Sequence, residues 1–271
     1  MLGELMLTSA AAAAGLILGV WLLSLRLRDA SIIDVFWGLG FALIGWLCFA
    51  AGDGAVDRRL ALAIMASLWG LRLAIHIGRR NHGRGEDFRY ARLRARDGRR
   101  FWLTSLYRVY LVQAALMWVV ALPLQAGSAH GREVGLGLLD AVGLAVFAAG
   151  LACEAIGDLQ LARFKADPAS TGQVMDRGLW RYTRHPNYFG DVLAWWGIGV
   201  VALAAGGTWW ALVGPAVNTF ILVRLTGKPL LEATIGERRP GYAEYVARTS
   251  GVIPLPPRRR PGGQHRSRLV D

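Results

Sequence analysis

Thiol and imidazole side chains are scarce in this sequence of 271 residues, which has two cysteines and five histidines. Cys48 and Cys153 stand far apart, lack metal-ligand spacing and fall within apolar runs, where a thiol serves as a small buried filler. His76, His82, His130, His185 and His265 are scattered, and no HxxxH or ExxH pattern accompanies them, so no metal site is expected. Acidic residues are few as well: 19 against 31 Lys and Arg, for a net charge of +12. Such an excess raises the question of nucleic acid, but no recognition module comes with it. The charge sits beside apolar runs and in the tail "PPRRRPGGQHRSR", where anionic lipid headgroups are the simpler partner. No internal repeat is visible, and low-complexity sequence is confined to the tail, so residues 258–271 read as a basic disordered end.

Apolar side chains, by contrast, are abundant. Hydrophobic residues make up 54% of the chain, with eleven tryptophans and a mean hydropathy of +0.34, too apolar for an ordinary soluble domain. A hydrocarbon core needs about 20 apolar residues per helix. Runs of that kind at 5–25, 32–51, 60–78, 105–125, 135–157, 188–205 and 208–225 predict an all-α fold, a bundle of seven transmembrane helices. Residues 1–257 then form a single membrane domain. The first run lacks a basic leading region and exceeds a usual signal-peptide core, so it reads as a retained helix, although its alanines at 10–14 also suit a cleavable signal.

Orientation follows from arginine. Residues 79–101 carry nine Arg against Glu86, Asp87 and Asp97, which places this segment in the cytoplasm. With seven spans the N-terminus is then outside and the C-terminus cytoplasmic. The link bearing Arg26 and Arg28, the 158–186 loop and the basic tail fall inside by the same count.

Ionisable groups in membrane helices need a partner or a function. Asp34 opens the second run with Trp37 one turn later; it is either a first-turn acid behind a Ser31 cap or a buried acid in a substrate cavity. Trp69, Arg72 and His76 fall on one helical stripe, with Arg72 either lining a pocket or snorkelling to the interface. Gln113 either bridges helices or meets a ligand. Glu154 and Asp158 are spaced i, i+4, followed by Arg163 and Lys165. The stretch "GLWRYTRHPNYFGD" (178–191) places Tyr182, Arg184 and His185 before Pro186, with Asn187, Tyr188 and Asp191 in the helix that follows. A helix start beside Arg and His suits either a phosphate or a plain cap with interfacial cations. Arg224 and Lys228 share a face below the last run.

That stretch, with "DLQLARFKADP" upstream, "VRLTGKPLLE" and "RRPGYAEYVARTSGVIPLPP" downstream and the shorter "DVFWGLGF" and "GEDFRY", resembles the bacterial branch of the steroid 5-alpha-reductase family. The resemblance implies a seven-helix enzyme that reduces an activated C=C bond of a hydrophobic substrate with NADPH. It implies cofactor contacts at Asp158, Lys165, Tyr182, Asn187, Asp191 and Arg224. To these the residue pattern adds Arg163, Arg184, His185, Tyr188 and Lys228. The family's Gln-Glu pair on the second helix is not reproduced, and Asp34 is the nearest acid by position. A buried, protonated Asp34 helped by His76 is the expected donor to the carbonyl oxygen where charge develops. Trp37, Trp69, Arg72 and Gln113 are the expected substrate lining. "RHPNY" with a downstream "YxxY" also resembles isoprenylcysteine carboxyl methyltransferases, which implies S-adenosylmethionine as the alternative ligand.

Overall fold

The computed structural model of the protein describes residues 2–129, 135–206, 209–225, 232 and 239–258. Among these the architecture is all-helical, with no strand and one isolated parallel bridge between Thr183 and Ser250. Five stretches, Leu2–Leu27, Ile32–Ala51, Val56–Asn81, Phe88–Val120 and Leu138–Ala166, are long and apolar enough to cross a membrane. They overlap the first five runs read from the sequence, although the fourth begins at Phe88 and not near 105. Large apolar side chains on them, among them Leu7, Leu22, Ile64, Leu68 and Ile75, are exposed, as a surface facing hydrocarbon requires. The regions of the sixth and seventh runs are also helical, as Pro186–Leu203 and Trp209–Leu225. The first of these has polar Asn187 in its first turn and carries Asp191, and the second is shorter than a span.

We number the helices α1 (Leu2–Leu27), α2 (Ile32–Ala51), α3 (Val56–Asn81), α4 (Phe88–Asp97), α5 (Phe101–Ser105), α6 (Leu111–Val120), α7 (Leu122–Ala129), α8 (Leu138–Ala166), α9 (Pro186–Leu203), α10 (Val213–Phe220) and α11 (Tyr242–Arg248). The expected run at 105–125 is not one regular helix. It continues α4 and α5 through a 3₁₀ turn at Gly98–Arg100 and a π turn at Leu106–Tyr110, ends at Val120 and restarts as α7. Nor is the basic segment 79–101 all loop. Asp87 caps α4 by accepting from Arg89 N at 3.0 Å, which supplies one of the donors a helix start leaves unpaired.

The chain divides into two compact units, one of Met1–Leu151 with Val192–Thr219, the other of Ala152–Asp191 with Phe220–Asp271. In the first unit α2 and α3 approach through glycine. A Cβ on Gly38 would overlap the Gly70 carbonyl, and one on Gly70 the Gly38 carbonyl, so neither position admits a side chain. Around this crossing lies an aromatic cluster: Phe41 meets Trp37, Trp69 and Trp195 edge-on at centroid distances of 5.2, 5.5 and 4.6 Å. A bidentate ion pair between Arg58 and Asp140 (2.8 and 2.9 Å) is fully buried in the same unit, and Asp140 also accepts from Gly137 N.

In the second unit the last described segment is stitched to 178–185. Arg184 N donates to Ser250 O, Leu255 N to Tyr182 O, and the Thr183 hydroxyl to Val252 O at 2.8 Å. The Tyr245 hydroxyl donates to Trp180 O, and burial pushes that phenol upward from its ordinary pKa.

Candidate functional site

Two polar constellations stand out, one in each unit. The first is built on "GEDFRY". Glu86 accepts from Ala30 N at 2.7 Å and takes a two-point contact from Arg94 at 2.8 Å, which fixes the loop to the link between α1 and α2. Burial raises the Glu86 carboxyl, but the hydrogen bond from Arg94 and that from Ala30 N outweigh it and leave the group below its ordinary range. Asp87 is lowered in the same way, burial being outweighed by the side-chain and backbone donors of Arg89. Once Asp87 has fixed the start of α4, Arg89 and Tyr90 project together onto Asp34. Arg89 NH2 donates to Asp34 Oδ2 at 2.6 Å, the Tyr90 hydroxyl donates to Asp34 Oδ1 at 2.7 Å, and Gln113 Nε2 donates to the Tyr90 oxygen at 3.4 Å.

Asp34 and Gln113 are therefore brought together, through a tyrosine that the residue patterns alone did not single out. Asp34 does not stand in apolar surroundings as expected for a protonated acid. Both its oxygens accept, one from Arg89 and one from the Tyr90 hydroxyl. Ser31 does not cap α2 either: its hydroxyl donates to Asp29 instead. Trp37 and Trp69 meet the same phenylalanine, and Trp69 is filled against Trp195 at 5.2 Å. The indole N–H groups of Trp69 and Trp195 are buried with no acceptor among the described residues. Arg72 and His76 are half-buried on α3, at the spacing the sequence shows.

The second constellation gathers most of 178–191. The C-terminal half of α8 positions it: Trp180 Nε1 donates to Gly157 O at 2.9 Å, Leu179 N to Gln160 Oε1 at 3.0 Å, and the Cys153 thiol to Pro186 O at 3.5 Å. Pro186 opens α9, where its missing N–H costs nothing. The Asn187 amide donates to Asp158 Oδ1 at 3.1 Å and its oxygen accepts from Tyr188 N at 3.1 Å, so that backbone donor is occupied rather than open to an anion. Asp191, one turn further, is buried. His185 stacks on Tyr188 with ring centroids 5.1 Å apart and planes 5° apart.

Arg184 and His185 are not open to a phosphate in this arrangement. Glu232 accepts from Arg184 Nε at 2.8 Å and lies 3.0 Å from His185 Nε2, while Arg184 NH1 is spent on Val246 O and Thr249 O. Burial pushes the Glu232 carboxyl up, yet the hydrogen bonds from His185 and Arg184, with their charges, hold it at about 2. A buried Arg beside a His calls for a counter-anion, and that need is the signal by which Glu232 was findable. Tyr182 is exposed, and so are Arg163 and Lys165 at the end of α8 and Arg224 in the π turn Ile221–Leu225. Lys228 lies outside the described residues. Among the described residues no group of three His, Cys, Asp or Glu is placed to hold a metal ion.

The chain matches, over residues 20–249, the family described as "Protein of unknown function (DUF1295)", and it belongs to that family. An uncharacterized protein of Schizosaccharomyces pombe is 27% identical over 203 residues, covering 65% of this chain. The chain spans only 58% of the length of that curated relative. No solved structure matches it.

Proposed function

We propose that the protein is a membrane-embedded, NADPH-dependent reductase of an activated C=C bond in a hydrophobic, steroid- or isoprenoid-like substrate. The observation that carries this reading is the Asn187–Asp158 pair with Asp191 buried one turn along α9. The carboxamide of Asn187 is fixed in orientation, and one N–H of its amide remains for a ligand amide such as that of a nicotinamide. NADPH, when bound, supplies a hydride equivalent. Asn187 orients, Asp158 holds Asn187 in place, and the stacked His185–Tyr188 pair offers a planar wall. Arg184 serves as the staple that holds the C-terminal segment, so phosphate contacts fall to the exposed cations Arg163, Lys165 and Arg224.

On the substrate side the proton is held by the Tyr90 hydroxyl on Asp34, with Arg89 fixing the carboxylate. A hydroxyl so held is suited to donate where negative charge develops on a carbonyl oxygen. The topology we propose has seven crossings, with Pro186–Leu203 and Trp209–Leu225 as the sixth and seventh, the N-terminus outside and the C-terminus in the cytoplasm of a bacterial cell.

One observation favours a second reading. Glu232 grips the Arg184–His185 pair of "RHPNY", and the methyltransferases that this motif resembles usually carry a Glu-Glu pair in the tail, of which this chain has the single Glu232. Thermal unfolding of the detergent-purified protein with NADPH, NADH or S-adenosylmethionine separates the two, because a ligand bound only by the folded state raises the midpoint. A shift with NADPH that is lost in Asn187→Ala supports the reductase. A shift with S-adenosylmethionine alone overturns it.

A further inference from the structure

The second unit holds a cavity of about 390 Å³ lined by Asp176, Arg181, Arg248, Thr249, Pro257 and Arg258. Three guanidinium groups thus border one space with a single carboxylate. Arg248 is paired with Asp176, and its carbonyl accepts from Arg258 N at 2.9 Å, which keeps the chain after α11 at the border of the cavity. The side chains of Arg181 and Arg258 have no hydrogen-bond or ion-pair partner among the described residues. Both side chains are exposed and water screens them from each other, but an anion between them gains from both charges at once. The planar fork of Arg matches a phosphate oxygen pair better than any other side chain does. The volume is that of roughly a dozen water molecules at about 30 Å³ each, more than a bare phosphate ion needs.

We infer that this cavity is a binding site for a phosphate group carried on a larger body, held by Arg181 and Arg258 with Arg248 as a third, partly neutralised cation. The phosphate is that of a lipid headgroup or of a soluble phosphate compound. The site is independent of the cofactor reading, which rests on Asn187 and Asp158.

The test uses the full chain in uncharged detergent and follows the unfolding midpoint during titration with each of four probes. These are sodium phosphate, sodium chloride at matched ionic strength, dioctanoyl phosphatidylglycerol and dioctanoyl phosphatidylcholine. The parent protein is expected to respond to phosphate or to phosphatidylglycerol beyond its chloride and phosphatidylcholine controls. In the R181Q/R258Q variant the apparent Kd is expected to weaken at least about tenfold, as loss of charge-assisted hydrogen bonds implies. The R84Q/R99Q variant, which removes the same charge at exposed positions elsewhere, should respond like the parent. A response to soluble phosphate alone identifies a free phosphate compound, and one to phosphatidylglycerol alone identifies a headgroup. The inference is overturned if no probe exceeds its control, if R181Q/R258Q keeps the full response, or if R84Q/R99Q loses it equally.

Discussion

The Tyr90 hydroxyl donates to Asp34 Oδ1 at 2.7 Å across 56 positions of sequence, and with the Arg89 contact at 2.6 Å it ties "GEDFRY" to the first turn of α2. Tyr90→Phe removes this bond while Arg89 still pairs with Asp34. We expect a stability loss of about 1–2 kcal/mol, the net worth of one hydrogen bond to a charged group in a partly buried place. Under the proposed activity, Asp34→Asn and Tyr90→Phe should each lower turnover by about two orders of magnitude, the scale of general-acid and oxyanion terms. NADPH binding in the same variants should be unchanged. Full turnover in Asp34→Asn would remove the pair from the chemistry.

Glu232 gives the second constellation an acid limit. Its folded value of about 2 lies below the ordinary 4.5, so the stabilisation it brings is complete above about 4.5 and is lost as pH falls toward 2. After allowance for solvent screening the loss should be about 1–2 kcal/mol. Midpoints measured from pH 6 to pH 3 should fall more steeply in the parent than in Glu232→Gln, which should start lower at pH 6. Parallel curves would show that Glu232 is not what holds Arg184 and His185.

The α2–α3 crossing should tolerate no added carbon. Gly38→Ala and Gly70→Ala each set a methyl against a backbone carbonyl that cannot swing away, at a cost of about 1–3 kcal/mol or more. Gly19→Ala in α1 meets no atom within 4 Å and should leave the midpoint unchanged or raise it slightly, by up to about 1 kcal/mol. Thermal unfolding of the three variants side by side is the measurement; equal losses in all three would mean that helix packing is not the cause.

Arg58→Met should be among the most damaging single changes in the first unit, because it strands Asp140 as a buried, unneutralised carboxylate at about 3–5 kcal/mol. Removing both charges in Arg58→Met with Asp140→Leu should restore most of that loss. A double variant no better than the single would show that the pair is required for its geometry and not only for its charge balance.

Helix and lipid face were legible in sequence wherever the signal was long. Leu2–Leu27, Ile32–Ala51 and Val56–Asn81 follow directly from length and hydropathy, since a span must satisfy its own backbone. The break between Val120 and Leu122 was not legible, because the run stays apolar through it and hydropathy averages over such a turn. At the sites the limit was different. The sequence shows cations at 184 and 185 but not the counter-charge 47 residues on, and it shows Asp34 but not that Arg89 and Tyr90 fold back onto it. Expectations that needed one residue and its own helix were readable; those that needed a partner from another segment were not.

The stitching of residues 250–255 to 182–184 bears on biosynthesis. Thr183 and Val252 are 69 positions apart, and the carbonyl of Tyr182 and the N–H of Arg184 find their partners only in the later segment. While the chain emerges, the 178–185 turn must wait, incompletely bonded, until translation has passed Leu255. A stop codon anywhere before Ser250 would therefore remove more than a terminal strip: it would leave residues 182–184, whose partners lie 66 to 73 positions further on, without the contacts that close them.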